Sequence, residues 1–292
     1  MLKYEEYKTL VENYIDSLKQ NNEIPSLLLE AMLYSLSQKG KRLRAVLLLA
    51  SYNLLNEDVE NVVPYAVAIE MIHTYSLIHD DLPAMDNDTL RRGQPTNHIK
   101  YGEDVAILAG DGLLNYAFEI ALEAAIKSLD SVNPLKAIKA IANAAGVTGM
   151  IAGQITDIKA SSKDENKVTK ISYIHEKKTA SLIIGAISAG LILAKATEEQ
   201  IKAGEIFGYN LGISFQIIDD ILDIVGKEEE LGKSIGKDID DNKLTYTSIY
   251  GIEKSREQAK LLTNRACEEI KSHFPKSDFF VELANSMLDR VK

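Results

Sequence analysis

The sequence has almost no cysteine. Cys267 is the single one among 292 residues, and tryptophan is absent. One cysteine cannot form a disulfide within the chain, and without a cluster of histidines and cysteines a structural zinc site is not expected. A chain that does without disulfides suits a reducing compartment, so we expect a cytoplasmic protein.

The chain also lacks an excess of positive charge. Its 43 acidic residues outnumber its 33 lysines and arginines, which gives a formal net charge of -10. Nucleic acids and anionic membranes are attracted by positive charge, so neither is an expected partner. An anionic substrate must therefore be held by a local group of cations or through a bound metal ion.

Long hydrophobic runs are missing as well. The longest uncharged run covers residues 179–194, sixteen residues, whereas a membrane span needs about 20. The first ten residues contain two glutamates and no apolar core, unlike a signal peptide. We therefore expect no membrane anchor.

Helix breakers are sparse, with six prolines and 17 glycines, and strand-like alternation is rare. Apolar residues instead recur at helical period. This pattern predicts an all-α fold, a single large helical bundle of residues 1–292 around a central cavity. Bundles of this type build metal sites from side chains on facing helices. The predicted helices cover residues 4–19, 26–36, 41–55, 61–81, 104–127, 135–152, 170–194, 198–225 and 252–272.

An acidic stripe lies on one of these predicted helices. It consists of residues spaced at i, i+3, i+4 and i+7, which share one helical face: Gln216, Asp219, Asp220 and Asp223. Unpaired carboxylates are costly to bury, yet the flanking residues are isoleucine, leucine and valine. A solvated helix face is the plain alternative. The apolar flanks and a second aspartate cluster favour cation binding.

That other cluster comes earlier in the chain, at the end of an apolar helical run. Asp80 and Asp81 close the run, Asp86 follows a proline-containing step, and Arg91 and Arg92 come soon after. Mg²⁺ usually binds one or two carboxylates together with substrate phosphates, and arginine suits phosphate oxygens. The cluster therefore predicts either a Mg²⁺–diphosphate site or, more plainly, an exposed ion-paired loop.

Further cations stand near predicted helices. Lys41 and Arg44 are at i and i+3 at the start of an apolar run, where a snorkelling helix start or a nucleic-acid patch also fits. His73 lies seven residues before Asp80 and shares its helical face. A lone histidine on a helix is often structural, so here both interpretations stay open.

Together these residues resemble the trans-isoprenyl diphosphate synthase family. DDLPAMD at 80–86 with RRG at 91–93 resembles its first aspartate-rich motif, and DDILD at 219–223 resembles the second. The insertion Pro83–Ala84 is similar to that of the bacterial type of farnesyl diphosphate synthase. Further elements follow in the family's order: GKRLR at 40–44, GD at 110–111, GQ…D at 153–157, Lys178–Thr179, Gln216 and GKSIGKDIDDNK at 232–243.

The resemblance implies a prenyltransferase, more narrowly a geranyltranstransferase. Such an enzyme joins isopentenyl diphosphate head-to-tail (1'-4) to dimethylallyl or geranyl diphosphate through an allylic carbocation. The implied products are (2E,6E)-farnesyl diphosphate and pyrophosphate. The resemblance also implies an all-α fold with the active site in a deep central cavity, three Mg²⁺ ions and a homodimer.

Residue roles are implied by the same resemblance. The Mg²⁺ ligands would be Asp80, Asp86 and Asp219, supported by Asp81, Asp220 and Asp223. The allylic diphosphate would contact Arg91, Lys178, Lys233 and Lys243. Isopentenyl diphosphate would contact Lys41, Arg44, His73 and Arg92. The reacting end, where positive charge develops, would be lined by Lys178, Thr179 and Gln216.

Product length is implied by the residues four and five positions before the first aspartate, which help to form the floor of the product pocket. Here they are Ser76 and Tyr75. At the helical rise per residue they lie roughly 6–8 Å below the carboxylates. We expect the tyrosine to stop elongation at a fifteen-carbon product.

Three alternatives remain at this point. A geranylgeranyl diphosphate synthase is favoured if Tyr75 tilts out of the pocket. A terpene cyclase would leave Lys41, Arg44 and Arg92 unexplained, because it needs no second diphosphate site. A non-catalytic regulatory subunit is expected to have lost one aspartate motif, whereas this chain retains both.

Overall fold

The computed structural model describes residues 1–130, 132–161, 163–225 and 243–291. These ranges are built of α-helices, and the strand pair among them is a short hairpin of Leu90–Arg91 with Gln94–Pro95. The α-helices are, in chain order, α1 Tyr4–Ser17, α2 Ser26–Leu36, α3 Leu43–Asn53, α4 Val63–Asp80, α5 Asn97–Tyr101, α6 Glu103–Lys127, α7 Asn133–Ala145, α8 Met150–Lys159, α9 Lys167–Ile174, α10 Ser181–Leu193, α11 Glu198–Val225, α12 Tyr246–Tyr250, α13 Ile252–His273 and α14 Asp278–Leu288.

The all-α fold predicted from helical periodicity is confirmed, and α2 and α11 have the predicted bounds. A single helix over residues 135–152 is wrong, because α7 ends at Ala145 and α8 begins at Met150. The break is a glycine turn. A Cβ on Gly149 would lie 2.1 Å from the carbonyl oxygen of Ala144, so a larger residue does not fit there.

The predicted helix over residues 170–194 is continuous but not uniform. Between α9 and α10 the chain forms a π-helical segment, His175–Ala180. A π-helical turn is wider than an α-helical one and is frequent at functional sites. Sequence periodicity continues through it, so the pattern of apolar residues alone does not reveal the change.

The core lies where α3, α4, α10 and α11 meet. Helix α4 packs against α3 and α6, while α10 packs against α3, α7 and α11. Leu47, Leu48 and Leu49 on α3 and Ile69 and Ile72 on α4 are fully enclosed. Helices that are apolar on every side belong in such a position. As a result, the helices that carry both aspartate clusters are fixed rigidly at the centre of the bundle.

Helix α6 is the one helix in the described ranges that is long and apolar enough to cross a membrane. Its best window has a mean hydropathy of 1.4, and 39% of that window is buried. Core helices of folded bundles pass the same test of length and composition. In this fold α6 packs against α2, α4 and α5. The absence of a membrane partner stays a prediction.

Candidate active site

The first aspartate cluster is built from a helix end and the loop that follows it. Helix α4 ends at Asp80, and the proline-containing step folds the chain back on that end. The backbone N–H of Asp86 donates to the carbonyl oxygen of Asp80 at 2.9 Å, and the N–H of Asn87 donates to that of Leu82 at 3.1 Å. The insertion therefore brings Asp86 beside Asp80.

Asp80 is a partly buried carboxylate with few compensating partners. Its Oδ1 accepts a hydrogen bond from Nε2 of Gln154 at 2.7 Å. Burial, together with the carboxylates of Asp86 and Asp81, raises the pKa of Asp80 to about 6, although Lys178 opposes the rise. A carboxylate whose charged form is disfavoured in this way gains from a bound cation.

Asp81 has a different environment from its neighbour. It is buried, and both of its oxygens accept hydrogen bonds from Nε of Arg91 at 2.9 and 2.8 Å. Arg91 also lies 3.8 Å from Asp88. Burial lowers the pKa of Arg91, but the bond to Asp81 outweighs it and the net shift is upward. Asp81 therefore orients Arg91 at the rim of the site.

The second cluster lies on the last turns of α11, with the predicted stripe on one face. Asp220 is buried and its two oxygens are engaged by protein donors. Nε2 of Gln216 donates to Oδ1 at 3.0 Å and the backbone N–H of Tyr246 donates to Oδ2 at 2.7 Å. Nε2 of His175 lies 3.5 Å from the same Oδ2. Asp220 thus connects α11 to α12 and to the π-helical segment.

Asp219 and Asp223 complete the stripe and differ in exposure. The side chain of Asp219 is 35% exposed, and Nη1 of Arg290 lies 3.4 Å from its Oδ1. Asp223 is buried one turn further along. Of the three carboxylates, Asp219 is therefore the most accessible to a ligand.

The π-helical segment carries Lys178 and Thr179 between the two clusters. Nζ of Lys178 donates to Oδ2 of Asp157 at 2.6 Å, and Oγ1 of Thr179 donates to Oε1 of Gln216 at 2.8 Å. Lys178 is also close enough to Asp80 to lower that carboxyl's pKa. The segment therefore connects α8 and α4 on one side with α11 on the other.

Two glycines hold the wide turn from opposite sides. A Cβ on Gly153 of α8 would lie 2.1 Å from the backbone nitrogen of Lys178, and one on Gly212 of α11 would lie 2.7 Å from Cα of Ala180. Both contacts are with backbone or its first carbon, which cannot rotate away. Any larger residue would displace the turn that presents Lys178 and Thr179.

Helix α8 supplies two site residues that were assigned no role beyond their place in the family motif. Gln154 bonds Asp80, and Asp157 bonds Lys178. The two lie at i and i+3 on one helical face, and that spacing is the signal that identifies them. Gly153 precedes them because α8 approaches the π-helical segment so closely.

Of the four residues predicted to hold isopentenyl diphosphate, Arg44, His73 and Arg92 lie within electrostatic reach of one another. Burial lowers the pKa of Arg44, with Arg92 lowering it further. Burial and then Arg44 and Arg92 lower the pKa of His73 well below its usual value. The pKa of Lys41 is also lowered, by burial and by Arg290. Mutual repulsion of this kind is relieved by a bound anion.

Tyr75 and Ser76 lie one turn below Asp80 on α4. Tyr75 is buried, and its ring makes an edge contact with that of His79 at 5.7 Å between centroids. Nε2 of His79 lies 3.1 Å from the carbonyl oxygen of Ile107 on α6. Oγ of Ser76 donates to the carbonyl oxygen of His73 at 2.9 Å. The tyrosine ring therefore packs against His79, which in turn lies against α6.

The last two predicted ligands come from the region after α11. Lys243 lies at the start of a described range, with Nζ 4.0 Å from Oδ2 of Asp86, so it faces the first cluster. Lys233 lies outside the described residues. Within the described ranges, no three histidine, cysteine, aspartate or glutamate side chains converge into a closed metal cage. A Mg²⁺ ion here would need substrate oxygens and water to complete its coordination.

An all-α fold that brings two aspartate clusters and a group of cations to the ends of its central helices is that of a prenyl-transferring enzyme. Comparison with known proteins identifies the family. The family model described as polyprenyl synthetase matches residues 25–276. The chain belongs to the polyprenyl synthetase family. It is a prenyl diphosphate synthase, whose substrates are isoprenoid diphosphates.

The relatives of this chain are named for two different products. The chain is 44% identical to a geranylgeranyl diphosphate synthase of Cyanophora paradoxa over 286 residues, 98% of this chain and 94% of that protein. It is 39% identical to a farnesyl diphosphate synthase of Bacillus subtilis (strain 168) over 283 residues, 97% and 95% of the two chains. The chain also aligns with the crystal structure of geranyltransferase from Helicobacter pylori complexed with magnesium and isoprenyl diphosphate. The TM-score is 0.83 at 32% identity, and the alignment covers 98% of this chain and 96% of that one.

Proposed function

We propose that this prenyl diphosphate synthase condenses isopentenyl diphosphate with dimethylallyl and then geranyl diphosphate to give (2E,6E)-farnesyl diphosphate. The proposed product length rests on Tyr75, which is buried about one turn below Asp80 and packs against His79. A growing chain that starts at the aspartates and extends along α4 meets this ring after roughly 6–8 Å.

Mg²⁺ is the proposed cofactor, as three ions. Asp80 and Asp86 from the first cluster and Asp219 from the second would be its principal ligands. Asp80 fits a cation because burial and neighbouring carboxylates disfavour its charge in the free protein. Bound Mg²⁺ would neutralise the negative charge that builds up on the departing pyrophosphate. The magnesium in the Helicobacter pylori structure supports the same choice.

In the first step, the C–O bond of the allylic diphosphate breaks and leaves an allylic cation and pyrophosphate. Lys178, held by Asp157, and Arg91, held by Asp81, would hold the diphosphate where its charge grows. Lys233 and Lys243 would complete this set. Thr179 and Gln216, joined by a hydrogen bond, would direct oxygen atoms toward the cation and stabilise it.

In the second step, the double bond of isopentenyl diphosphate attacks the cation and a new carbon–carbon bond forms. Lys41, Arg44, His73 and Arg92 would hold the second diphosphate in the position for attack, which removes the entropic cost of the encounter. His73 would act as a neutral donor, because burial and its arginine neighbours keep its pKa low. Released pyrophosphate would take the final proton.

A geranylgeranyl product is the second candidate, since a relative with that name is 44% identical over nearly the whole chain. The experiment is product chromatography with purified protein, Mg²⁺, dimethylallyl diphosphate and radiolabelled isopentenyl diphosphate. We expect farnesyl diphosphate from the wild type, longer products from Tyr75→Ala, and no turnover in EDTA. The control is Tyr14→Ala on α1. A twenty-carbon wild-type product, or no lengthening in Tyr75→Ala, would contradict the role of Tyr75.

The enzyme is further proposed to be a cytoplasmic homodimer. Helix α6 exposes Leu108, Leu122 and Ile126, and exposed apolar side chains that recur along one helix mark an interaction surface. A second copy pairing through the same face would bury them symmetrically. Light scattering should give about twice the 32.3 kDa chain mass. Leu122→Glu should reduce it, and a wild-type monomer would contradict the proposal.

A further inference from the structure

Glu70 is a buried carboxylate that no step above uses. It lies on α4, one turn before His73, and is 2% exposed. Its Oε1 accepts a hydrogen bond from the backbone N–H of Ala45, in the first turn of α3, at 3.2 Å. Its Oε2 lies 3.9 Å from Nη1 of Arg42, whose side chain is equally buried. The carboxylate therefore joins α4 to the start of α3, where a negative charge is favoured by the helix dipole.

Arg42 forms an unusual turn at that helix start. Its φ of 52° is in the left-handed region, which residues with side chains rarely adopt. Nη2 of Arg42 donates back to the carbonyl oxygen of Gln38 at 3.0 Å and closes the turn. Lys41 precedes this turn and Arg44 follows it, so the direction of both cations depends on the turn being kept.

Arg92 rests on the same turn. Its Nη1 lies 3.4 Å from the carbonyl oxygen of Gln38, the acceptor that Arg42 also uses. A Cβ on Gly40 would lie 2.6 Å from that Nη1, so the guanidinium of Arg92 lies directly against the loop backbone. The loop of residues 38–44 thus carries two of the proposed ligands and supports a third.

We propose that Glu70 is a positioning residue for isopentenyl diphosphate. It fixes the 38–44 loop by holding Arg42 and the first turn of α3, and so it sets the directions of Lys41 and Arg44. Through the Gln38 carbonyl it also supports Arg92, and it shares a helical face with His73. The inference rests on the proposed role of Lys41, Arg44, His73 and Arg92 in binding isopentenyl diphosphate.

The test is steady-state kinetics of Glu70→Gln with each substrate varied in turn. Glutamine keeps an acceptor for Ala45 but removes the charge that faces Arg42. We expect the KM for isopentenyl diphosphate to rise at least tenfold, while the KM for geranyl diphosphate stays within twofold. An equal rise in both values, or no rise, would overturn the inference, since a purely structural role would not distinguish the substrates.

Two further variants make the result specific. Glu12→Gln is the matched control: Glu12 lies 3.9 Å from Nε of the same Arg42, but its side chain is 43% exposed and screened by water. It should leave both KM values within twofold. Glu70→Asp keeps the charge, and should raise the KM for isopentenyl diphosphate less than Glu70→Gln does. If Glu70→Gln does not fold, an unchanged KM in Glu70→Asp would by itself overturn the inference.

Lys41→Ala separates this inference from the proposed function. If Lys41→Ala raises the KM for isopentenyl diphosphate and the Glu70 variants do not, the diphosphate site stands and the positioning role is wrong. If Lys41→Ala leaves that KM unchanged, the proposed diphosphate site is itself wrong.

Discussion

The two aspartate clusters are similar in sequence and are built in different ways. In the first, Asp80 ends a helix and Asp86 is brought beside it by a loop, so burial and the neighbouring carboxylates raise the pKa of Asp80. In the second, Asp220 lies within a continuous helix and both of its oxygens accept hydrogen bonds. The two clusters therefore differ in role. Asp80 in the first cluster is suited to binding a cation, whereas Asp220 in the second stabilises the packing of neighbouring segments.

The largest expected effect distinguishes cation binding at Asp80 from the structural role of Asp220. Asp80→Asn should lower kcat/KM by about 10³-fold, because it removes a carboxylate where charge must be neutralised. Asp220→Asn should lower kcat/KM by about tenfold or less. The measurement is the rate of pyrophosphate release at saturating Mg²⁺, with Asp16→Asn on the exposed face of α1 as control. Equal losses in the two variants would contradict the distinction.

A second prediction concerns the π-helical segment that connects the clusters. Gly153→Ala places a Cβ 2.1 Å from the backbone of Lys178 and must shift it. A displacement of about 1 Å at a reacting group costs about 10²-fold in rate, so kcat should fall by that order. Gly112→Ala on α6 is the matched control, since the atoms nearest its Cβ are the flexible side-chain ends of Met32 at 3.0 Å and Leu28 at 3.6 Å. If both variants lose the same activity, the position of the turn is not critical.

Substitution of Gln154 should have a smaller effect, confined to metal binding at the first cluster. Gln154→Leu removes the hydrogen bond that orients Asp80, and loss of such an outer partner typically weakens metal binding by about 10–100-fold. The half-saturating Mg²⁺ concentration should therefore rise, with less change in kcat at saturation. Thr156→Val is the control on the same helix, where the hydroxyl bonds only the carbonyl oxygen of Ala152. An unchanged Mg²⁺ requirement would contradict this role.

The pH dependence of the Mg²⁺ requirement gives the smallest effect. With its pKa raised to about 6, Asp80 is protonated below that pH and ionised above it. A metal ligand must be deprotonated, so the half-saturating Mg²⁺ concentration should rise by about tenfold per pH unit below 6. Titration at pH 5, 6, 7 and 8 checks this. A flat profile across pH 5–7 would indicate that the carboxylate is not perturbed.

Much of the fold and part of the candidate site were predictable from the sequence. Helical periodicity identified the all-α fold, and the i, i+3, i+4, i+7 spacing placed the second cluster on one face of α11. Periodicity failed at Gly149, where a backbone contact decides the break, and in His175–Ala180, where the turn widens without any change of pattern. Helix α14 was not predicted either.

The pairing of individual carboxylates was beyond the sequence, because it depends on residues distant along the chain. One donor to Asp220, Gln216, lies in the predicted stripe, but the other is the backbone of Tyr246, 26 residues further on. The donor to Asp80 is Gln154, 74 residues further on. Glu70 stands within an apolar run, and only the structure shows its contacts with Ala45 and Arg42. A motif indicates which residues meet, whereas packing decides which of them carry uncompensated charge.

The most direct test of the contrast between Asp80 and Asp220 is thermal unfolding in EDTA at pH 8. The folded-state pKa of Asp80 lies above its unfolded value, so the stability gained by protonation is present below about pH 4 and is lost as the pH rises through about 6. At pH 8 the neutral, similarly sized Asp80→Asn should therefore unfold at a higher temperature than the wild type.

Asp220→Asn should unfold at a lower temperature under the same conditions, because its amide would point a donor at a donor, which costs about 1–3 kcal/mol. The account predicts shifts of opposite sign for the two variants. Shifts of the same sign would contradict it.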